Sequence, residues 1–228
     1  MIKDNLKIVE ENIKNSLKRA GRENESVKLI TVTKTIDIDK INEAIDGGAR
    51  DIGENRAQEL EEKHEILGDK VKYHMIGQLQ TNKVRNIIGK TDLIHSLNRI
   101  SLAKELNKRS KANDIVTDVL IQVNVAEEES KSGFNVKEVI PFIESIIDFE
   151  NIKVRGLMTM APHTDDELVL REVFRTMYKL KEDISKKNYK NLTMDYLSMG
   201  MTNDYEIAIE EGSNMVRIGS AIFGERKY

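Results

Sequence analysis

The feature that most constrains this chain is a repeated alternation of a short apolar run, a few polar residues and a stretch with helical periodicity. The runs occupy residues 29–33, 49–53, 73–77, 93–97, 119–123, 154–158, 194–198 and 215–219. Several are nearly continuous in apolar or β-branched residues, as parallel strands covered on both faces must be. Between them, apolar residues recur at spacings of three and four: Val136, Val139, Ile140, Ile143 and Ile147, then Val169, Val173, Met177, Leu180 and Ile184. Gly47-Gly48 and Gly212 fall where helices are expected to end. Eight strand–helix repeats in about 200–250 residues is the arithmetic of a closed (β/α)8 barrel. An open doubly wound sheet is the alternative, and the absence of G-x-G-x-x-G after the first strand weakens it. An extra helix opens the chain, with Ile2, Leu6, Val9, Ile13, Leu17 and Ala20 on one stripe. The stripe stops after about three heptads, which predicts a helix packed on the domain rather than a coiled coil. The expectation is one α/β domain over residues 1–228, a TIM barrel with an additional N-terminal helix.

Composition narrows the function classes. The chain has 36 Lys+Arg against 39 Asp+Glu for a net charge of −3, with no long basic block, which argues against a dedicated nucleic-acid binder. Cysteine is absent, so there is no disulfide framework, thiolate metal site or cysteine nucleophile. No apolar run approaches the ~18–20 residues that span a bilayer, and the polar start lacks the apolar segment of a signal peptide. A cytoplasmic enzyme or small-molecule binder is the class that is left. The four histidines, His64, His74, His95 and His163, form no close ligand pair, so structural or solvated roles are expected and no metal.

In a barrel of this kind the reactive groups gather at the C-terminal ends of the strands. One lysine, Lys34, directly ends an apolar run there. A strand-end lysine ordinarily reaches for solvent. If Ile30 and Val32 line the barrel, however, the period of two turns Lys34 inward, where partial desolvation favours the neutral amine that attacks an aldehyde. The last two strand ends, Ser198-Met199-Gly200-Met201-Thr202-Asn203-Asp204 and Arg217-Ile218-Gly219-Ser220, combine glycines and hydroxyls just before helices. Ordinary capping by Thr202 or Asn203 is one reading. Two such ends on neighbouring strands favour a phosphate held by backbone N–H groups and hydroxyls. Asn55 and Arg56 offer polar contacts at the second strand end, and a rim ion pair between Glu54 and Arg56 is the alternative there.

A strand-end lysine beside a phosphate cradle suggests pyridoxal 5′-phosphate (PLP), an aldehyde carrying a phosphate. The motifs Val32-Thr33-Lys34, Gly53-Glu54-Asn55-Arg56-Ala57-Gln58-Glu59 and His74-Met75-Ile76-Gly77-Gln78-Leu79-Gln80-Thr81-Asn82-Lys83, with the two strand ends above, resemble the YggS/PROSC family of pyridoxal phosphate homeostasis proteins. These are single-domain relatives of the alanine racemase barrel, and the resemblance covers essentially the whole chain. It implies that Lys34 forms an aldimine with PLP and that Ser198, Gly200, Thr202, Gly219 and Ser220 surround the phosphate. It further implies that Arg217 faces the pyridine nitrogen and that Asn55 contacts the ring. Departures are mild: Ile52 where an aromatic is common, Tyr73 where tryptophan is common, and Thr33 where serine is common. The implied function is a non-catalytic carrier that buffers PLP or delivers it to PLP-dependent apoenzymes, as a cytoplasmic monomer without nucleic-acid or membrane partners. The competing classes are a racemase-like PLP enzyme and a Schiff-base aldolase.

Overall fold

The computed structural model describes residues 1–128 and 131–225. Eight parallel strands close into one barrel in sequence order: β1 (Lys28–Val32), β2 (Asp51–Glu54), β3 (Lys72–Met75), β4 (Leu93–Leu97), β5 (Thr117–Val123), β6 (Ile152–Thr159), β7 (Leu192–Ser198) and β8 (Met215–Ile218). β1 pairs with both β2 and β8, which closes the sheet. The expected barrel is therefore correct, with each apolar run inside or overlapping a strand. The helices are α1 (Ile2–Arg19), α2 (Ile38–Asp46), α3 (Ala57–Leu67), α4 (Val84–Ile87), α5 (Ile100–Ala112), α6 (Val136–Ser145), α7 (Glu167–Ser185), α8 (Tyr205–Glu210) and α9 (Ser220–Phe223). Among the described residues no helix is long and apolar enough to cross a membrane.

Alternation along the strands sorts side chains between two cores. Ile30, Leu93, Leu120, Met158 and Met215 fill the barrel interior, with Ile76 and Tyr196 against them. The opposite faces of most strands pack under the helices in a large buried cluster. α1 lies over the β8 side, where Ile2, Leu6, Val9, Ile13 and Leu17 bury with Val216, Ile218, Ile209 and Ile222. It is the covering helix that the stripe predicts. In α7 the buried face is Leu170, Val173, Phe174, Met177, Leu180 and Ile184, while Val169 is 37% exposed. The stripe is rotated by one residue at its start because Phe174, the bulkiest fully buried side chain, sets the inward direction.

Candidate functional site

At the C-terminal end of the barrel a cavity of about 530 Å³ opens, and Val32, Lys34, Asn55, Thr202, Arg217, Gly219 and Ser220 are on its wall. Ile30 sits in the barrel interior and Val32 on the cavity wall, so Lys34 continues the inward series as the period of two requires. Among the described residues nothing hydrogen-bonds or ion-pairs with the Lys34 amine. The other lysine on the wall, Lys131, is engaged: its Nζ donates to Glu128 Oε1 at 2.7 Å and to the Ala161 carbonyl at 2.9 Å. Lys34 is thus the amine at liberty to react.

The loops after β7 and β8 meet across one side of the cavity. The Ser220 hydroxyl donates to Thr202 Oγ1 at 3.1 Å, which links the two loops directly. Capping does not consume the loop residues. α8 has Asp204 as its N-cap, and Asp204 Oδ1 accepts from the Met201 amide at 2.6 Å, leaving Thr202 and Asn203 on the cavity wall. Burial raises the Asp204 carboxyl above its ordinary range, against the pull of the Met201 amide and Arg217.

Two of the expected phosphate residues stand elsewhere. Ser198 pairs with Met215, so it lies a layer below Arg217, which is two residues further along β8. It is wholly buried and does not reach the wall. Gly200 is also buried away from the wall, and the fold itself requires a glycine there. Its φ is 98°, and a Cβ would stand 2.8 Å from both Tyr205 Cα and the Ala208 methyl. Its carbonyl accepts from the Arg217 amide at 3.0 Å, which splices the β7 loop to β8. Both residues support the cradle from beneath.

Ser198 belongs to a buried chain of polar groups that runs down the barrel. Arg217 Nη1 donates to Ser198 Oγ at 2.6 Å, and Arg217 Nη2 donates to the Thr159 carbonyl at 2.9 Å. Ser198 Oγ is 3.0 Å from His95 Nδ1, His95 Nε2 is 3.0 Å from His74 Nδ1, and His74 Nε2 is 2.9 Å from Asp51 Oδ1. Burial pushes His95 well below the ordinary histidine range, with His74 and Arg217 adding to the effect. Arginine only donates, so Ser198 Oγ accepts from Arg217, and the contacts from Ser198 through His95 and His74 to Asp51 make one continuous hydrogen-bonded chain. Burial pushes Asp51 up, but His74 and Lys28 outweigh it and leave the carboxyl below its usual range. Burial also lowers Arg217 to about 10, opposed by Asp204, so the guanidinium remains a cation at neutral pH. With two of its five N–H donors used, it has donors to spare for the cavity.

The alternative of a rim pair between Glu54 and Arg56 is not what forms. Glu54 is wholly buried and pairs with Lys63 at 2.7 Å, while Arg56 is exposed beside Asn55. Gly77 explains how Asn55 comes to the wall: a Cβ there would stand 2.6 Å from Asn55 Cα, so only a glycine lets the two loops touch. Sequence reasoning assigned no binding role to Gln122 or Met160 and read His163 as structural or solvated, yet all three are on the wall. Gln122 was legible in principle, since it follows Leu120 by two on an inward-facing strand.

The chain matches the alanine racemase N-terminal domain family over residues 5–227. A pyridoxal phosphate homeostasis protein of Aquifex aeolicus is 43% identical over 99% of this chain and 98% of its own length. The chain belongs to the pyridoxal phosphate homeostasis protein family. Two solved structures agree in fold with this member of the family. A protein from Bifidobacterium adolescentis superposes with a TM-score of 0.93 at 39% identity, covering 97% of this chain and 94% of that one. PipY of Synechococcus elongatus, solved with PLP bound, superposes at 0.86 with 26% identity, covering 98% and 100%.

Proposed function

We propose that this protein binds PLP in the cavity at the C-terminal end of the barrel and serves PLP homeostasis, holding the cofactor on Lys34 without turning over a substrate. The observation that carries the reading is the unpartnered Lys34 amine in the same cavity as the Ser220–Thr202 hydroxyl pair and the buried Arg217. That donor set matches the three functional groups of PLP: an amine for the aldehyde, hydroxyls and loop amides for the phosphate, and a guanidinium for the pyridine nitrogen. The PLP in PipY and the names of the curated relatives support the same assignment. When bound, the cofactor supplies an electrophilic aldehyde and an electron-accepting ring.

The residues of the chain divide the remaining work. Lys34 would hold PLP through its side-chain amine, a group that condenses with an aldehyde with loss of water. Thr202, Gly219 and Ser220 would hold the phosphate by hydrogen bonds, each to a charged acceptor worth roughly 1.5–3 kcal/mol. Ser198 and Gly200 keep that cradle and Arg217 in place from below. Arg217 would offer its remaining N–H donors to the ring nitrogen, and Asn55, on the same wall, would face the ring. In this reading the protein acts as a cytoplasmic monomer that passes PLP to apoenzymes.

Borohydride reduction of the PLP-loaded protein followed by peptide mapping tests the assignment. The pyridoxyl group is expected on Lys34. Its appearance mainly on Lys83 or Lys131, or nowhere, removes the central claim.

A further inference from the structure

One buried cluster holds both residues that flank Lys34. Lys63, on α3 and 5% exposed, donates to the Thr33 carbonyl at 2.7 Å, to Glu54 Oε1 at 2.7 Å and to Glu59 Oε1 at 3.0 Å. These three bonds use all the protons of its ammonium. The Thr33 hydroxyl also donates to Glu54 Oε1, and Glu59 Oε1 accepts from the Thr35 amide at 2.5 Å. A single ammonium therefore ties down the carbonyl that precedes Lys34 and, through Glu59, the N–H that follows it.

The backbone at this point needs such a hold. Thr35 has a φ of 62°, a left-handed conformation that a β-branched residue adopts only under constraint. Stability by itself gives no reason for the cluster. A buried ammonium between carboxylates is often matched or bettered by apolar side chains of the same volume. The second Glu54 oxygen, Oε2, is buried with no partner, a further cost that packing does not explain. What the arrangement does achieve is geometric: it turns the chain at the end of β1 so that the residue between Thr33 and Thr35 reaches the cavity.

We propose that Lys63, acting with Glu54 and Glu59, is a positioning residue for the Lys34 amine. It lies outside the cavity and acts on the reaction only by fixing the backbone on both sides of Lys34. The proposal rests on the reading of Lys34 as the residue that bonds to PLP.

The test compares the rate of borohydride-trapped pyridoxyl incorporation at Lys34 in the full-length protein and its Lys63→Met and Lys63→Arg variants, with PLP as the probe. Lys63→Met is expected to slow incorporation at least tenfold, and Lys63→Arg, which keeps a cationic donor, to recover most of the rate. PLP affinity is measured in parallel in Lys34→Ala and in Lys34→Ala/Lys63→Met, where no bond to residue 34 can form. Those two affinities are expected to agree within about twofold. Trapping at the wild-type rate in Lys63→Met overturns the proposal, as does an affinity loss in the double variant as large as the loss caused by Lys63→Met alone. Should Lys63→Met not fold, Glu59→Ala replaces it, since that side chain is 21% exposed. At least threefold slower trapping supports the proposal and an unchanged rate overturns it. Failure of the wild type itself to label at Lys34 overturns the underlying reading instead.

Discussion

His95 and Glu54 are wholly buried ionisable side chains that act on stability with opposite pH slopes. Burial holds folded His95 well below its ordinary value of 6.5, so the unfolded chain is the better proton binder. Its contribution is present above pH 6.5 and is lost on acidification, by about 1.4 kcal/mol per pH unit. Burial raises folded Glu54 to about 7 against the attraction of Lys63 and Thr33, so here the folded state is the better proton binder. That contribution is complete below 4.5 and is lost as pH rises to about 7, on the order of 3 kcal/mol in all. Urea unfolding across pH 4.5–7.5 should separate the two. Glu54→Gln is expected to abolish the loss on the alkaline side, and His95→Asn to abolish the loss on the acid side. Stability curves for wild type and Glu54→Gln that run parallel across this range would show that Glu54 does not titrate there.

At the level of elements, the cradle depends on helices that cannot stand alone. α8 and α9 have six and four residues, far below the length at which an isolated helix persists. α1 supplies what they lack. Asn5 Nδ2 donates to the Ile222 carbonyl at 2.9 Å, Asn12 Nδ2 donates to the Tyr205 hydroxyl at 3.0 Å, and Arg19 pairs with Glu206 and Glu210. Leu6, 1% exposed, lies in the same cluster as Ile209 and Ile222. Leu6→Ala is expected to lose about 2–4 kcal/mol. It should also weaken PLP more than pyridoxal, because on the proposed placement the loosened elements would face only the phosphate. Equal weakening of both vitamers, measured by titration, would detach α1 from the cradle. The eight strands and α1 were legible because their patterns are local: apolar runs, a stripe, a glycine at a helix end. The inward direction of Lys34 was legible for the same reason, as a count of two along one strand. The burial of Ser198 and Gly200 beneath the wall was not legible, because a strand end does not reveal its height in the barrel and the Ser198–Met215 pairing does. Lys63 was invisible because a lysine in a run such as Glu61-Glu62-Lys63 reads as solvated until the fold delivers Glu54 beneath it.

For the molecule as a whole, the proposed placement of PLP would favour its retention over turnover of amino acids. PLP withdraws electrons from a bound amino acid most strongly when its pyridine nitrogen is protonated, a state that a neighbouring carboxylate promotes. In the proposed placement Arg217 offers the reverse: a buried guanidinium, cationic at neutral pH, that only donates and so would require the nitrogen to be the bare acceptor. Racemisation also needs an acid/base group on each face of the ring. Lys34 can serve one face. His163 is the wall histidine available for the other, and it is exposed on a loop rather than held by a hydrogen bond among the described residues. Steady-state assays of the PLP-loaded protein with alanine, serine and other amino acids are therefore expected to show negligible racemisation, transamination and decarboxylation. Arg217→Glu would place a carboxylate opposite the nitrogen and, where the variant folds and retains PLP, should raise any residual transamination above the wild-type level. A wild-type turnover number in the usual enzyme range of roughly 1–10³ per second would make this protein an enzyme and displace the carrier reading.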